Sequence, residues 1–308
     1  INLWVMDDGD GATAVDTGLA SRESERIWKH LLETSLADTG LTRIVVTHFH
    51  PDHVGMAGWL AERTGAPIHM PQTEWLWTRL LCMDHGAETV DEVVEFSRRA
   101  GADQEYLDKA QQRGVGYHAL VKPLPRQYQP LRNGGTLEIG GNAWRMVEGR
   151  GHAPEHACLF CEKTGVLIAG DQVLPRISPI VGVPMWEPDS DPLSDFLDTI
   201  ERLLELPDDI VVLPSHGLPF RGLHPRLRDM AAHHDERLAT TQEACATPLT
   251  AMQTVDVLFK RQLNHEHRGF ALREAVAHLN YLMVRGEISR YEREDGVYLY
   301  DSNVSQGQ

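Results

Sequence analysis

The chain has 308 residues, 42% of them hydrophobic and 7% aromatic, with a formal net charge of −16. That length can bury a sizeable core in one large domain or two, and the composition is that of an ordinary soluble globular protein. The acidic balance disfavours broad non-specific binding to nucleic acid or anionic lipid. It does not exclude an anionic substrate, which a metal centre can attract by its own charge. No apolar run approaches the length of a membrane span. The sequence starts at Ile1 in strand-like residues, so an upstream segment is expected to have been processed, trimmed or left out, a removed targeting segment being one option. Cys82, Cys158, Cys161 and Cys245 are too few and too scattered for a disulfide framework, and they point to a reducing, cytoplasmic setting.

Residues 3–6 and 12–16 predict two strands joined by the turn 7–11. Ile27, Trp28, Leu31, Leu32 and Leu36 sit at helical spacing, with Ser24 as one candidate cap. The apolar run 44–46 is a strand, 55–63 reads as a helix and 67–70 as a short strand, an alternation that predicts an α/β fold. Residues 71–129 break the alternation: three helices are expected, around Trp75–Leu81, 90–100 and 104–113, then a return through Pro123, Pro125 and Pro130. This helical insertion could cap a pocket, make a homodimer contact, or serve packing alone. From 135 strands return at 136–139, 143–147, 157–161 and 166–169, followed by an amphipathic helix 195–206, a strand 210–213 and a long helix 225–246. Cys158 and Cys161 form a C-x-x-C pattern within a strand; side chains three apart there face opposite sides, so they read as two core thiols. Beyond Pro248 two helices (250–262 and 269–285) precede a hairpin (288–300) turning at Glu294-Asp295-Gly296. The expected domains are therefore 1–247 and 248–308, the second winged-helix-like.

The richest stretch is Thr47-His48-Phe49-His50-Pro51-Asp52-His53, directly after the strand Ile44-Val45-Val46. Imidazole suits zinc and iron, and carboxylate oxygen suits harder cations, so such a mixed set at a strand end reads as a catalytic metal site. His152, Asp171 and His216 each follow an apolar strand as well. Residues far apart in sequence can thus converge on one rim.

The order of these motifs resembles the metallo-β-lactamase superfamily, over roughly residues 3–240. The tail is similar to that of the branch containing β-lactamase-like protein 2 and related bacterial hydrolases. The resemblance implies an αββα sandwich with a dinuclear metal site at one edge. It implies that His48, His50 and His152 hold one ion, that Asp52, His53 and His216 hold the other, and that Asp171 bridges them. Asp16 matches a family acid that organises the ligands from behind. His156 could support a ligand in the same way or simply pack in its turn. Two zinc ions are expected, with iron or manganese as alternatives. In such a site the ions ionise a shared water, which attacks a carbonyl or phosphorus; Asp171 holds the ions at working distance, and Asp52 orients the nucleophile or takes its proton.

The resemblance implies hydrolysis without fixing the bond. An acyl ester or thioester is favoured, as in the acyl-thioesterase and glyoxalase II-like relatives. Trp75, Trp77 and Pro184-Met185-Trp186 offer apolar side chains for a small-molecule acyl substrate, and Arg176 is the candidate partner for an anionic carrier. A ribonuclease or phosphodiesterase is the main rival, but residues 248–308 carry seven Lys/Arg against eight Asp/Glu and show no basic track. A lactonase is a third reading. A non-enzymatic DNA-binding protein with a structural metal is the fourth, although structural zinc sites are closed and commonly sulfur-rich.

Overall fold

The computed structural model describes residues 1–302, and its elements follow one another as β1 (Trp4–Asp7), β2 (Ala12–Val15), α1 (Arg22–Glu33), β3 (Leu41–Val45), α2 (Pro51–Val54), α3 (Ala57–Thr64), β4 (Ile68–Pro71) and α4 (Gln72–Met83). Then come α5 (Ala87–Arg99), α6 (Gln104–Arg113), α7 (Tyr117–Leu120), β5 (Gln129–Leu131), β6 (Thr136–Ile139), β7 (Asn142–Gly149), β8 (His156–Cys161) and β9 (Val166–Gly170). The chain continues with α8 (Pro192–Leu203), β10 (Val211–Pro214), β11 (Phe220–Arg221), α9 (Leu223–Ala244), α10 (Ala251–Leu258), α11 (His265–Val284), β12 (Ser289–Glu292) and β13 (Tyr298–Asp301). Among the described residues no helix is long and apolar enough to cross a membrane.

Two compact units are present, each discontinuous in sequence. The first unites Ile1–His85, Gly116–Pro179 and Leu204–Arg226; the second unites Gly86–Val115, Ile180–Leu203 and the chain from Leu227 onward. The expected division at 247/248 is a division of the sequence, whereas these units interleave along it.

Two sheets make the first unit, in the orders β1-β2-β3-β4-β5 and β11-β10-β9-β8-β7-β6. Strands β2 to β5 run parallel, and the second sheet is antiparallel except for the β9–β10 pair. Period-two alternation sorts the side chains between layers. Ile44 and Val46 pack with Trp28 and Leu60 of the covering helices. Val45 and Val15 turn the other way, into a core shared with Ala157, Leu159 and Ile168 of the second sheet. Burial on both faces explains why β8 reads as a continuous apolar run. Cys161 lies in that inter-sheet core, while Cys158 lies outside it, 3.5 Å from the Ala169 carbonyl; both are buried free thiols.

Local differences from the expectations have local causes. Ser21, rather than Ser24, caps α1, its side chain accepting the Ser24 N–H at 3.0 Å. Pro130 sits within β5 because that strand forms the edge of its sheet, where a missing N–H is tolerated.

The second unit gathers α5 and α6 with the tail. Arg98 donates to the Asp295 carbonyl at 2.7 Å, and the Met252 N–H to the Ala100 carbonyl at 2.9 Å. The excursion expected at 71–129 is therefore divided, with α4 and α7 in the first unit and α5 and α6 in the second. The tail's order, two helices followed by an antiparallel hairpin, is as expected. Helices α9 and α11 bury an imidazole pair between them, His234 Nδ1 lying 3.3 Å from His278 Nε2 while His278 Nδ1 donates to the Glu274 carbonyl at 2.8 Å.

Burial lowers the pKa of His278 to about 4 and that of His234 to about 2. Both rings are neutral when folded, whereas the unfolded chain takes up protons near pH 6.5. This contribution is complete above pH 6.5 and is lost as pH falls towards the folded values, by roughly 2 kcal/mol per ring at pH 5. Replacing His278 by Gln should therefore reduce the drop in melting temperature between pH 7.5 and pH 5, as measured by calorimetry on both proteins.

Candidate metal centre

His48 and His50 lie in the loop leaving β3, and Asp52 and His53 open the short helix α2. His152 lies between β7 and β8, Asp171 directly after β9, and His216 after β10. β7, β9 and β10 run the same way, and all seven side chains follow the carboxyl end of a strand, where α/β sheets bind ligands. They meet within a few ångströms. His50 Nδ1 is 2.9 Å from His48 Nε2 and 3.1 Å from His152 Nε2, and the last two are 3.3 Å apart. Ligand atoms bound at 2.0–2.1 Å in a tetrahedral site lie about 3.3 Å from one another. His216 Nε2 is 3.3 Å from Asp52 Oδ2, and His53 Nε2 is 3.6 Å from the same oxygen. Asp171 Oδ2 stands between the two sets, 3.4 Å from His53, 3.5 Å from His216 and 3.6 Å from His152.

The donor chemistry fits divalent ions. His53 Nε2 and Asp171 Oδ1 are buried without a hydrogen-bond partner, a state native proteins avoid unless an ion or water completes it. Three overlapping groups can each hold a cation: His48/His50/His152, His48/His53/Asp171 and Asp52/His53/His216. Burial disfavours charge on His48 and His50, and their neighbouring imidazoles add to this, so both pKa values fall well below the usual imidazole range. For His53 burial is overridden by Asp16 and Asp171, which lift the ring to about 10. Hydrogen bonds to Asp171 and Asp52 raise His216 to about 9. Against the opposing effect of burial, His216 and His53 hold Asp52 at about 2; the same two rings keep Asp171 below the ordinary carboxylate range. Positive charge is thus favoured at His53 and His216, and a metal ion can supply it in place of protons.

Asp16 organises this rim from β2. Its Oδ1 accepts the Thr47 N–H at 2.8 Å, and its Oδ2 lies 2.8 Å from His53 Nδ1 and 2.9 Å from Thr47 Oγ1. Thr47 Oγ1 is also 3.0 Å from His48 Nδ1. If the hydroxyl donates to Asp16, it accepts from His48 Nδ1–H, which leaves the Nε2 lone pair facing the site. Among the described residues Asp16 alone of the non-glycines has a positive φ, +61°, a conformation held by these bonds.

His156 is fully buried, and its Nε2 accepts the Asp171 N–H at 3.1 Å, fixing the backbone that carries that acid. A Cβ at Gly170, whose φ is +53°, would lie 2.4 Å from this ring, so only glycine fits there. Arg176 is exposed in the loop after Asp171. Trp75 stacks on Tyr128 at 4.4 Å. Trp77 lies 6.0 Å from Phe49, whose ring is 4.6 Å from that of His50. Met185 and Trp186 belong to the second unit, where they line a cavity of about 700 Å³ with Phe96, Arg99 and Tyr298.

Sequence reasoning missed Thr47, Thr17, Glu74 and Tyr117. Thr17 donates to the His53 carbonyl through both its backbone N–H (2.8 Å) and its hydroxyl (2.7 Å). Adjacency to the motif and to Asp16 is the signal that would have found Thr47 and Thr17. Asp16→Ala removes the outer partner of His53 and, through Thr47, the support of His48. Metal affinity should fall by about 10–100-fold, as read by competition with a chromophoric chelator.

Residues 1–216 match the family model of the metallo-beta-lactamase superfamily, and residues 238–303 match that of the metallo-beta-lactamase-like C-terminal domain. The structure is similar to a beta-lactamase domain protein from Burkholderia ambifaria, with a TM-score of 0.91 and 39% identity, covering 98% of this chain and 88% of that one. The sequence is 24% identical over 295 residues to a probable metallo-hydrolase, YqjP, from Bacillus subtilis (strain 168), covering 94% of this chain and 90% of the relative. It is also 22% identical over 283 residues to an atrochrysone carboxyl ACP thioesterase from Passalora fulva, covering 88% of this chain and 66% of that protein. With its two facing sheets and the His/Asp cluster at their edge, the chain belongs to the metallo-beta-lactamase superfamily of metal-dependent hydrolases.

Proposed function

We propose that the chain hydrolyses a small acyl ester or thioester at a dinuclear centre. The observation that carries this reading is the position of Asp171 Oδ2, within 3.4–3.6 Å of nitrogens from both donor sets. In this reading His48, His50 and His152 hold one ion, Asp52, His53 and His216 hold the other, and Asp171 bridges. Bound there, two divalent ions, zinc by preference and iron or manganese as alternatives, would supply Lewis acidity and ready ionisation of water.

The residues themselves divide the work by depth. His48 and His53 are fully buried, whereas the side chains of His216 and Asp52 remain 37% and 32% exposed, so substrate approaches from their side. Asp52, paired with His216 and partly open to solvent, is placed to orient the nucleophile or to take its proton. Phe49, Trp77 and Tyr117 form an aromatic group beside His50 that could seat an acyl chain. The similarity to a carrier-protein thioesterase supports the same bond class. The net charge of −16 weighs against a polynucleotide. The buried free thiols fit a cytoplasmic setting.

Protein loaded with metal should contain two ions per chain by elemental analysis and should turn over acyl thioesters in a panel that also offers an acyl lactone, a phosphodiester and single-stranded RNA. His50→Ala should lose more activity than the about 10–100-fold that removal of an outer partner costs. Strong phosphodiester or RNA cleavage with silent thioesters would overturn the proposed bond class.

A further inference from the structure

Helix α4 carries a fully buried carboxylate that neither the family motif nor the mechanism above uses. Glu74 Oε2 accepts the Phe49 N–H at 2.9 Å, and Glu74 Oε1 accepts the Glu155 N–H at 2.6 Å. Phe49 lies between His48 and His50, and Glu155 lies between His152 and His156. One carboxylate therefore ties together the two loops that supply the three-imidazole set. The tie is reciprocal, because Glu155 Oε2 accepts the Thr73 N–H at 2.8 Å at the start of α4. On its other side Phe49 offers its carbonyl to the Tyr117 hydroxyl. The Phe49 backbone is thus held at both its N–H and its C=O.

His50 is the ring with most need of such a hold. His48 is backed by Thr47 and His53 by Asp16, but the hydrogen bonds of the His50 ring among the described residues go only to other members of the cluster, through Nδ1. Its remaining ring contact outside the cluster is with Phe49, the residue pinned by Glu74 and Tyr117. From this arrangement we propose that Glu74 is a positioning residue for the metal centre: acting through the Phe49 and Glu155 backbones, it sets His50 against His152 and so fixes the width of the three-imidazole set.

A role limited to filling space would be met by an apolar side chain, since an acid buried without a cation is costly and is kept where its acceptors are needed. Burial pushes the Glu74 pKa up to about 8, with the two backbone N–H groups pulling the other way. The inference rests on the metal-centre reading, and the test separates the two.

Full-length wild type, Glu74→Gln, Tyr117→Phe and His50→Ala would be stripped of metal and titrated with cobalt(II), following the visible absorption of the bound ion. Glutamine presents an N–H to a backbone N–H in place of one acceptor. Glu74→Gln with wild-type circular dichroism should bind cobalt about 10-fold more weakly, with an altered absorption band. Wild-type affinity and spectrum in folded Glu74→Gln, whatever its melting temperature, would reduce Glu74 to a packing residue and overturn the proposal. If that variant does not fold, Tyr117→Phe decides, because it releases the other backbone group of Phe49, the residue through which Glu74 acts: weaker cobalt binding supports the proposal and unchanged binding overturns it. His50→Ala identifies which reading has failed. If it loses cobalt while Glu74→Gln does not, this inference alone falls; if it binds cobalt like wild type, the metal centre itself falls.

Discussion

Negative charge buried at strand ends is the constraint on which the rest depends. Asp16 and Asp171 are almost wholly removed from water, and Asp52 partly so. A carboxylate in that position must be met by N–H groups or by positive charge. Asp16 is met by Thr47 and His53, and Asp171 Oδ2 by three imidazoles. The rings that answer these acids are the rings of the cluster, so satisfying the buried carboxylates and gathering the imidazoles are one arrangement.

Much of this was legible because strand-end side chains obey simple rules. A run such as Ile44-Val45-Val46 must be a buried strand, and whatever polar group follows it emerges at a sheet edge. Applied at β3, β7, β9 and β10, that rule locates His48, His152, Asp171 and His216, and the spacing within 48–53 adds the others. The positions that escaped are of another kind. Glu74 sits in a helix whose apolar residues announce only a packing face, and nothing local marks its carboxylate as an acceptor for two distant peptides. Tyr117 lies within an excursion whose path depends on tertiary contacts. His156 reads from the sequence as either support or packing, and its bond to the Asp171 N–H becomes visible only once β8 and β9 are paired.

The boundaries of the helical excursion show the same limit at larger scale. Its helices follow from periodicity, but which body each joins is decided by partners far along the chain. α5 finds Asp295 and Met252, whereas α4 faces the ligand loops through Glu74. Local pattern specifies elements; long-range pairing assigns them.

That interleaving bears on how the molecule is made. The Arg98 side chain and the Asp295 carbonyl it contacts are 197 positions apart. During synthesis α5 and α6 leave the ribosome long before the hairpin that completes their unit, so apolar side chains wait uncovered for most of translation. Such high contact order slows closure and lengthens exposure to aggregation. A unit closed by contacts this far apart in sequence forms late, and the hairpin that meets α5 decides when its helices leave the aggregation-exposed state.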